Sequence, residues 1–137
     1  MFFNNKTNND DHEDFTKVAA LLIHAAKIDE NYSEIEKKII KEMLKEIGAN
    51  PENVEKILKE GKKIEEDSHQ ILDFTKEVKN MNEQNKIKII ETLWKIIYSN
   101  NEADIYETNL MRRLTGLLYI DNKIMGNIKE KVRKKLL

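Results

Sequence analysis

The sequence predicts an all-α protein with a single domain. Its 137 residues include only four glycines and one proline, which are too few breakers for a turn-rich fold. Apolar residues recur three or four positions apart along most of the chain, as they do on one face of an amphipathic helix. Charged residues make up 36% of the chain, which is typical of long solvated helices around an ordinary core. We therefore expect a compact bundle of about seven helices.

The first predicted helix follows a polar segment. Residues 1–12 are rich in Asn and Asp, whose side chains compete with helix formation by local hydrogen bonding, so a flexible tail is expected there. Order is expected from Glu13 onward, and residues 13–137 form the single predicted domain. The first helix carries a broad apolar face, which favours a central position. This face consists of Phe15, Val18, Ala19, Leu22, Ala25 and Ala26.

The start of the second helix is marked by Ser33 and Glu36. Ser followed three positions later by Glu has the spacing of a capping box, in which each side chain hydrogen-bonds to the backbone amide of the other residue. Apolar residues then recur at helical spacing, and Gly48 follows where helices commonly end in a left-handed residue. We expect this helix to end just before Gly48.

The middle of the chain predicts two more helices. Asn50 and Pro51 provide a cap and a first-turn proline for a brief third helix, which is expected to end at Gly61. The fourth helix is predicted from about Glu65 to Lys79. Acidic residues stand at its predicted start, where a helix dipole favours negative charge.

Three further helices complete the predicted bundle. The fifth follows a cap at Asn82 and has an apolar stripe that includes Trp94, the single tryptophan of the chain. The sixth opens at Asp104, and the seventh follows a cap at Asp121. Basic residues cluster late in the seventh helix, where they complement the C-terminal end of its dipole on a solvated face.

Two segments of the chain are related by an offset of 71 positions. Ser33 matches Asp104 and Glu36 matches Glu107, and the flanking apolar positions also coincide. In both segments an apolar helix, an acidic loop and a capped helix follow one another. The pattern predicts a pseudo-repeat of helical hairpins around a shared core, although amphipathic helices can also produce such an offset by chance.

The two acidic loops contain the candidate site residues. Asp29, Asn31 and Ser33 place side-chain oxygens as the opening of an EF-hand does, but the glycine and final glutamate of that motif are missing. Each loop keeps a shorter arrangement in which a Glu stands seven positions after the first Asp or Asn. Oxygen donors of this kind suit Ca²⁺ or Mg²⁺. Helix capping alone explains the same glutamates, so both interpretations stay open. The candidate metal ligands are Asp29 and Glu36 in the first loop, and Asn100 and Glu107 in the second.

Composition and motifs exclude several classes of function. The chain has no cysteine, which excludes disulfides, thiolate zinc sites and Cys nucleophiles, so a cytoplasmic location is expected. A net charge of −1 argues against general nucleic-acid binding. No apolar run is long enough to span a membrane. We find no nucleophile elbow, phosphate-binding loop or zinc-helix motif, and so no small-molecule substrate is identified.

The paired segments "AALLIHAAKIDENYSEIEKKIIKEML" and "ETLWKIIYSNNEADIYETNLMRRLTGLLYID" resemble the two halves of the TerB-like (tellurite resistance) family. The resemblance runs from about Phe15 to Val132. It implies a bundle of about seven helices with a pseudo-repeat, an association with stress and tellurite resistance, divalent-cation binding, and scaffolding of other proteins without catalysis. The family's loop motif is usually Ala-Asp-Gly followed by a Glu. Here Glu30 stands at the first glycine position, and Asn100 replaces the aspartate of the second loop.

Three functions are therefore compared. The first is a non-enzymatic interaction module that docks on other proteins through an acidic-loop face and is modulated by a divalent cation. The second is a metal-dependent enzyme built on the same carboxylates. The third is nucleic-acid binding through the basic residues of the seventh helix, which the net charge of −1 disfavours. The residues predicted to contact protein partners are Glu30, Glu34, Glu102 and Asp104.

Overall fold

In a computed structural model, the chain folds into α-helices joined mostly by short connections. The structure describes residues 8–27, 33–67, 72–99 and 105–136. These ranges contain seven α-helices and no strand, which confirms the predicted fold class. A 3₁₀ turn at Pro51–Asn53 leads into the third helix. The helices are α1 (Asn8–Ala26), α2 (Glu34–Glu46), α3 (Val54–Asp67), α4 (Leu72–Lys79), α5 (Glu83–Tyr98), α6 (Ile105–Leu117) and α7 (Asn122–Leu136).

The core is built around α1. Every residue from Val18 to Ile23 is fully buried, because α1 packs against α2, α3, α4 and α5. A helix that is surrounded on all sides needs small and apolar residues all around its axis, which this segment supplies. The predicted central position of the first helix is confirmed. In the part of the chain that is described, no helix is both long and apolar enough to cross a bilayer.

The helix α1 begins earlier than the sequence predicts. It starts at Asn8 rather than near Glu13, so the last five residues of the predicted flexible tail, 8–12, are helical. That part of the prediction is wrong. Local side-chain hydrogen bonding was expected to prevent helix formation, but the segment is also rich in acids, which stabilise the first turns of a helix. It extends a helix that the core already holds in place.

The third helix is longer than predicted, and Gly61 explains the difference. The predicted end at Gly61 is wrong, since α3 continues through it to Asp67. A Cβ atom at position 61 would lie 2.8 Å from the Cβ of Ala19 and 3.0 Å from the backbone oxygen of Thr16. The glycine therefore permits close packing of α3 on α1, and it does not terminate the helix. Residues around Glu65 consequently belong to the end of α3 and not to the start of the fourth helix.

The pseudo-repeat is confirmed by the geometry of its helix ends. Both α2 and α6 contain 13 residues, and their bounds differ by the predicted offset of 71. After α2, the Ala49 amide donates to the Leu44 carbonyl at 2.9 Å; after α6, the equivalent Ile120 amide donates to Thr115 at 3.0 Å. The two helices thus end in the same hydrogen-bonded turn.

The repeat also includes the helix that follows. Asn50 Oδ1 accepts from the Glu52 amide at 3.0 Å, and Asp121 Oδ1 accepts from the Lys123 amide at 2.7 Å. These caps again differ by 71 positions, and they precede α3 and α7. The repeated unit is therefore three helices, α1–α2–α3 and α5–α6–α7, with α4 between the two units. It is one helix longer than the predicted hairpin.

Candidate functional site at the acidic-loop end

The first acidic loop joins α1 to α2, and the second joins α5 to α6. Of the predicted site residues, only Glu34 and Glu36 lie in the part of the chain whose side chains are described. The helical backbone of Glu107 is described in α6, but its side chain is not. The remaining predicted site residues lie outside the described residues: Asp29, Glu30, Asn100, Glu102 and Asp104.

Glu36 forms the predicted capping box with Ser33. Its carboxylate Oε1 accepts from the Ser33 amide at 2.7 Å and from the Ser33 hydroxyl at 3.1 Å. In return, the Glu36 amide donates to Ser33 Oγ at 3.2 Å. Only 1% of Glu36 is exposed. The capping role is therefore confirmed, while cation binding by Glu36 stays a prediction. The contacts do fix one carboxylate at the point where the first loop enters α2.

Glu34 and Ile35 form the solvent-facing side of the same helical turn. The side chain of Glu34 is 88% exposed, and its carboxylate accepts from Lys37 Nζ at 2.9 Å. The hydrogen bond from Lys37, together with the charge of that lysine, lowers the pKa of Glu34. Beside it, the large apolar side chain of Ile35 is 67% exposed. The first turn of α2 thus presents an anionic group and an apolar group side by side.

A buried ionic cluster lies between the last turn of α1 and the end of α3. Glu65 near the end of α3 is 4% exposed, and its two carboxylate oxygens contact His24 Nδ1 at 3.1 Å and Lys27 Nζ at 2.6 Å. Burial raises the pKa of Glu65, but the hydrogen bonds and charges of Lys27 and His24 together outweigh it and hold that pKa below its ordinary value. The cluster ties the last turn of α1 to α3 just before the first acidic loop.

Sequence reasoning missed this cluster because it placed Glu65 on a different helix. The sequence carries no signal for this pairing, because the pairing depends on how α3 packs on α1. In the structure a Cβ at position 61 would approach the Ala20 amide, and His24 and Glu65 lie one helical turn further along their helices.

The geometry limits what this end of the bundle can do chemically. Within the described ranges, no group of three or more His, Asp or Glu side chains could hold a metal ion. The Glu65 carboxylate already contacts Lys27 and His24, and the Glu36 carboxylate is hydrogen-bonded to Ser33. These contacts favour a structural role for Glu36 and Glu65 within the helices, and Glu34 and Ile35 are the exposed groups in the first turn of α2.

Comparison with known proteins identifies the family. The family model described as "Tellurite resistance protein TerB" matches residues 15–130. The chain belongs to the TerB family. The TerB match runs from Phe15 in α1 into α7, so it includes both halves of the repeat and both acidic loops. Neither a curated protein nor a solved structure gave a match.

Proposed function

We propose that this TerB-family chain is a non-catalytic module that binds other proteins in the response to tellurite or related stress. Docking takes place at the acidic-loop end of the bundle, through the first turn of α2 and the loop before it. The cytoplasm is the expected compartment, in keeping with the cysteine-free composition.

The exposure of Ile35 beside Glu34 carries this proposal. Protein interfaces combine an apolar anchor with a polar rim, and the anchor is commonly a side chain that is exposed in the free protein. Ile35 and Tyr119 are the exposed large apolar side chains among the described residues. Ile35 adjoins the acidic loop that the sequence predicts as an interaction site, so an apolar anchor and its anionic rim occur at one place.

A divalent cation is the proposed modulator of this docking. Asp29 and Glu36 are the ligands proposed in the first loop, with Asn100 and Glu107 as a second set that has one carboxylate fewer. Ca²⁺ and Mg²⁺ both take oxygen ligands of this kind. Support comes from Glu36, because its carboxylate is held in one position by Ser33 at the end of the loop. A bound cation would reduce the negative charge of the docking surface and so alter partner affinity.

The direct test is capture of partners by the wild-type chain and by an Ile35→Asp variant from tellurite-treated cells. Aspartate in the first turn of a helix is favoured by the dipole, so the substitution leaves the fold intact. We expect at least tenfold less captured partner. The matched control is Asn127→Asp, at an exposed position on α7, which should capture as wild type does. Equal capture by all three proteins would refute docking at this end.

A further inference from the structure

An open groove lies between α2 and α5 and continues the apolar stripe that begins at Ile35. Its volume is about 240 Å³, and its lining includes Ile39, Met43 and Thr92. Ile35, Ile39 and Met43 are four positions apart, so they line one face of α2. The exposed anchor of the proposed docking surface therefore leads into a partly apolar groove on the side of the bundle.

Some of the charged side chains that line the groove form ion pairs with neighbouring residues, and others do not. Two of the rim glutamates are already paired, Glu42 with Lys45 at 3.1 Å and Glu91 with Lys131 at 2.8 Å. Glu46 is the remaining rim glutamate.

Three lysines also line the rim, and they are Lys38, Lys88 and Lys95. None of the three forms an ion pair within the described part of the chain. Among the described residues, three lysines without an ion pair therefore line the same groove as one glutamate without an ion pair. A ligand that carries carboxylates and apolar groups has the complementary chemistry.

The shape of the groove indicates what kind of ligand carries those groups. The lining residues on α2 extend from Lys38 to Glu46, about 12 Å at the helical rise, or two turns of a partner helix. The volume lies below the roughly 300 Å³ at which pockets for small molecules begin. Peptides that bind by strand addition need a sheet edge, and the described ranges contain no strand.

We infer that the α2–α5 groove binds an amphipathic partner helix with acidic residues flanking its apolar stripe. The partner's apolar side chains, spaced by three or four residues, contact Ile39 and Met43. Its carboxylates pair with Lys38, Lys88 and Lys95. This inference rests on the proposed interaction function and specifies the chemistry of the partner. The surface facing the partner is basic here, in contrast to the acidic loop beside Ile35.

The test is selection of a helix-biased random peptide library on the full-length chain, followed by affinity measurement on two double variants. The first, Lys88→Glu with Lys95→Glu, reverses the groove charge. The control, Lys62→Glu with Lys63→Glu, makes the same change on exposed positions of α3. We expect the selected peptides to have apolar residues at three- or four-residue spacing with flanking Asp or Glu. Their affinity should fall at least tenfold on the groove variant, change less than twofold on the control, and weaken as salt is raised.

Three results with peptides or with the isolated chain would overturn the inference, and a fourth comes from partner capture. The first is enrichment of basic or uncharged peptides, and the second is binding that the groove variant leaves unchanged. The third is sedimentation showing a dimer that the groove variant dissociates, which would make a second copy of the chain the occupant. If partner capture depends on Ile35 but not on Lys88 and Lys95, the proposed function stands and the inference of an acidic partner helix is refuted. If the peptides bind the groove as expected but partner capture does not depend on Ile35, the inference stands and the proposed docking at Ile35 is refuted.

Discussion

Gly48 and Tyr119 occupy the same turn in the two halves of the repeat, and both have a positive φ angle. The values are 115° for Gly48 and 56° for Tyr119. Glycine adopts such angles without steric cost, whereas a side chain with a Cβ is strained there. The tyrosine is 73% exposed, and Lys79 Nζ lies 5.2 Å from the centre of its ring. The backbone of this turn is therefore unstrained at Gly48 in the first half of the repeat and strained at Tyr119 in the second half.

Exchanging the residue types at this turn should change stability in opposite directions. Tyr119→Gly relieves the backbone strain and loses an exposed cation–π contact with Lys79, so we expect a net gain of on the order of 0.5 to 1 kcal/mol. Gly48→Ala should cost about 1 to 2 kcal/mol, because alanine is strained at this φ. Denaturant unfolding of both variants measures the two effects. A destabilising Tyr119→Gly would mean that contacts of the ring outweigh the strain.

A methyl group at Gly61 should disrupt the α1–α3 contact. Its Cβ would meet the Cβ of Ala19 at 2.8 Å and backbone atoms of α1 at 3.0 and 3.1 Å, so the two helices must move apart. We expect Gly61→Ala to cost about 2 to 3 kcal/mol, as overpacking of a core does. Gly126→Ala is the matched control, since nothing lies within 4 Å of its added Cβ. It should stabilise α7 by about 0.5 to 1 kcal/mol. Equal effects at the two positions would contradict the close contact.

The Glu65 cluster should make stability depend on acid pH. The folded-state pKa of Glu65 lies below its ordinary value of 4.5. The ionised form is therefore favoured by folding, so the contribution is present above pH 4.5 and is lost as the pH falls through the folded-state pKa. Glu65→Gln should cost about 1 to 3 kcal/mol at neutral pH, because it leaves His24 and Lys27 without their carboxylate.

The pH profile of this variant provides the check. The difference in unfolding free energy between wild type and Glu65→Gln should narrow as the pH is lowered below 4.5. Glu66→Gln, at the exposed neighbouring position, should stay within about 0.5 kcal/mol of wild type throughout. A difference that is constant with pH would show that the ionisation of Glu65 contributes nothing.

Cation binding at the first loop is tested by calorimetric titration with Ca²⁺ and Mg²⁺. Glutamine still completes a capping box but lacks the carboxylate charge, so Glu36→Gln separates the two roles of this residue. We expect wild type to bind, Glu36→Gln to lose at least tenfold in affinity with unchanged melting, and Glu107→Gln to have the smaller effect. Absence of binding heat in the wild type would leave capping as the role of Glu36.

What the sequence predicted correctly depends on local interactions. The caps at Ser33, Asn82 and Asp121 are all present, because a capping side chain bonds to a backbone amide only two or three residues ahead. The offset of 71 was visible because each half repeats the same local pattern of stripes and caps. Such features need no knowledge of which helices touch.

What the sequence did not predict depends on contacts between distant segments. From the local sequence, Gly61 is predicted to end a helix, but in the structure it allows α3 to pack against α1. Glu65 is predicted to lie in the first turn of a helix, but in the structure it contacts His24 and Lys27 near the end of α3. A buried carboxylate near a helix C-terminus is unfavourable on local grounds, and only residues 41 and 38 positions away make it stable. The predicted cation ligand Asp29 lies outside the described residues, so that part of the site stays a prediction.

The most direct test of the central claim is site-specific photocrosslinking in living cells exposed to tellurite. A photoreactive amino acid is introduced at position 35, beside the acidic loop, and separately at position 127 on α7. The account predicts discrete crosslinked partner proteins from position 35 and none of these from position 127. Crosslinks of equal pattern and yield from both positions, or none from position 35, would contradict a docking site at this end of the TerB bundle.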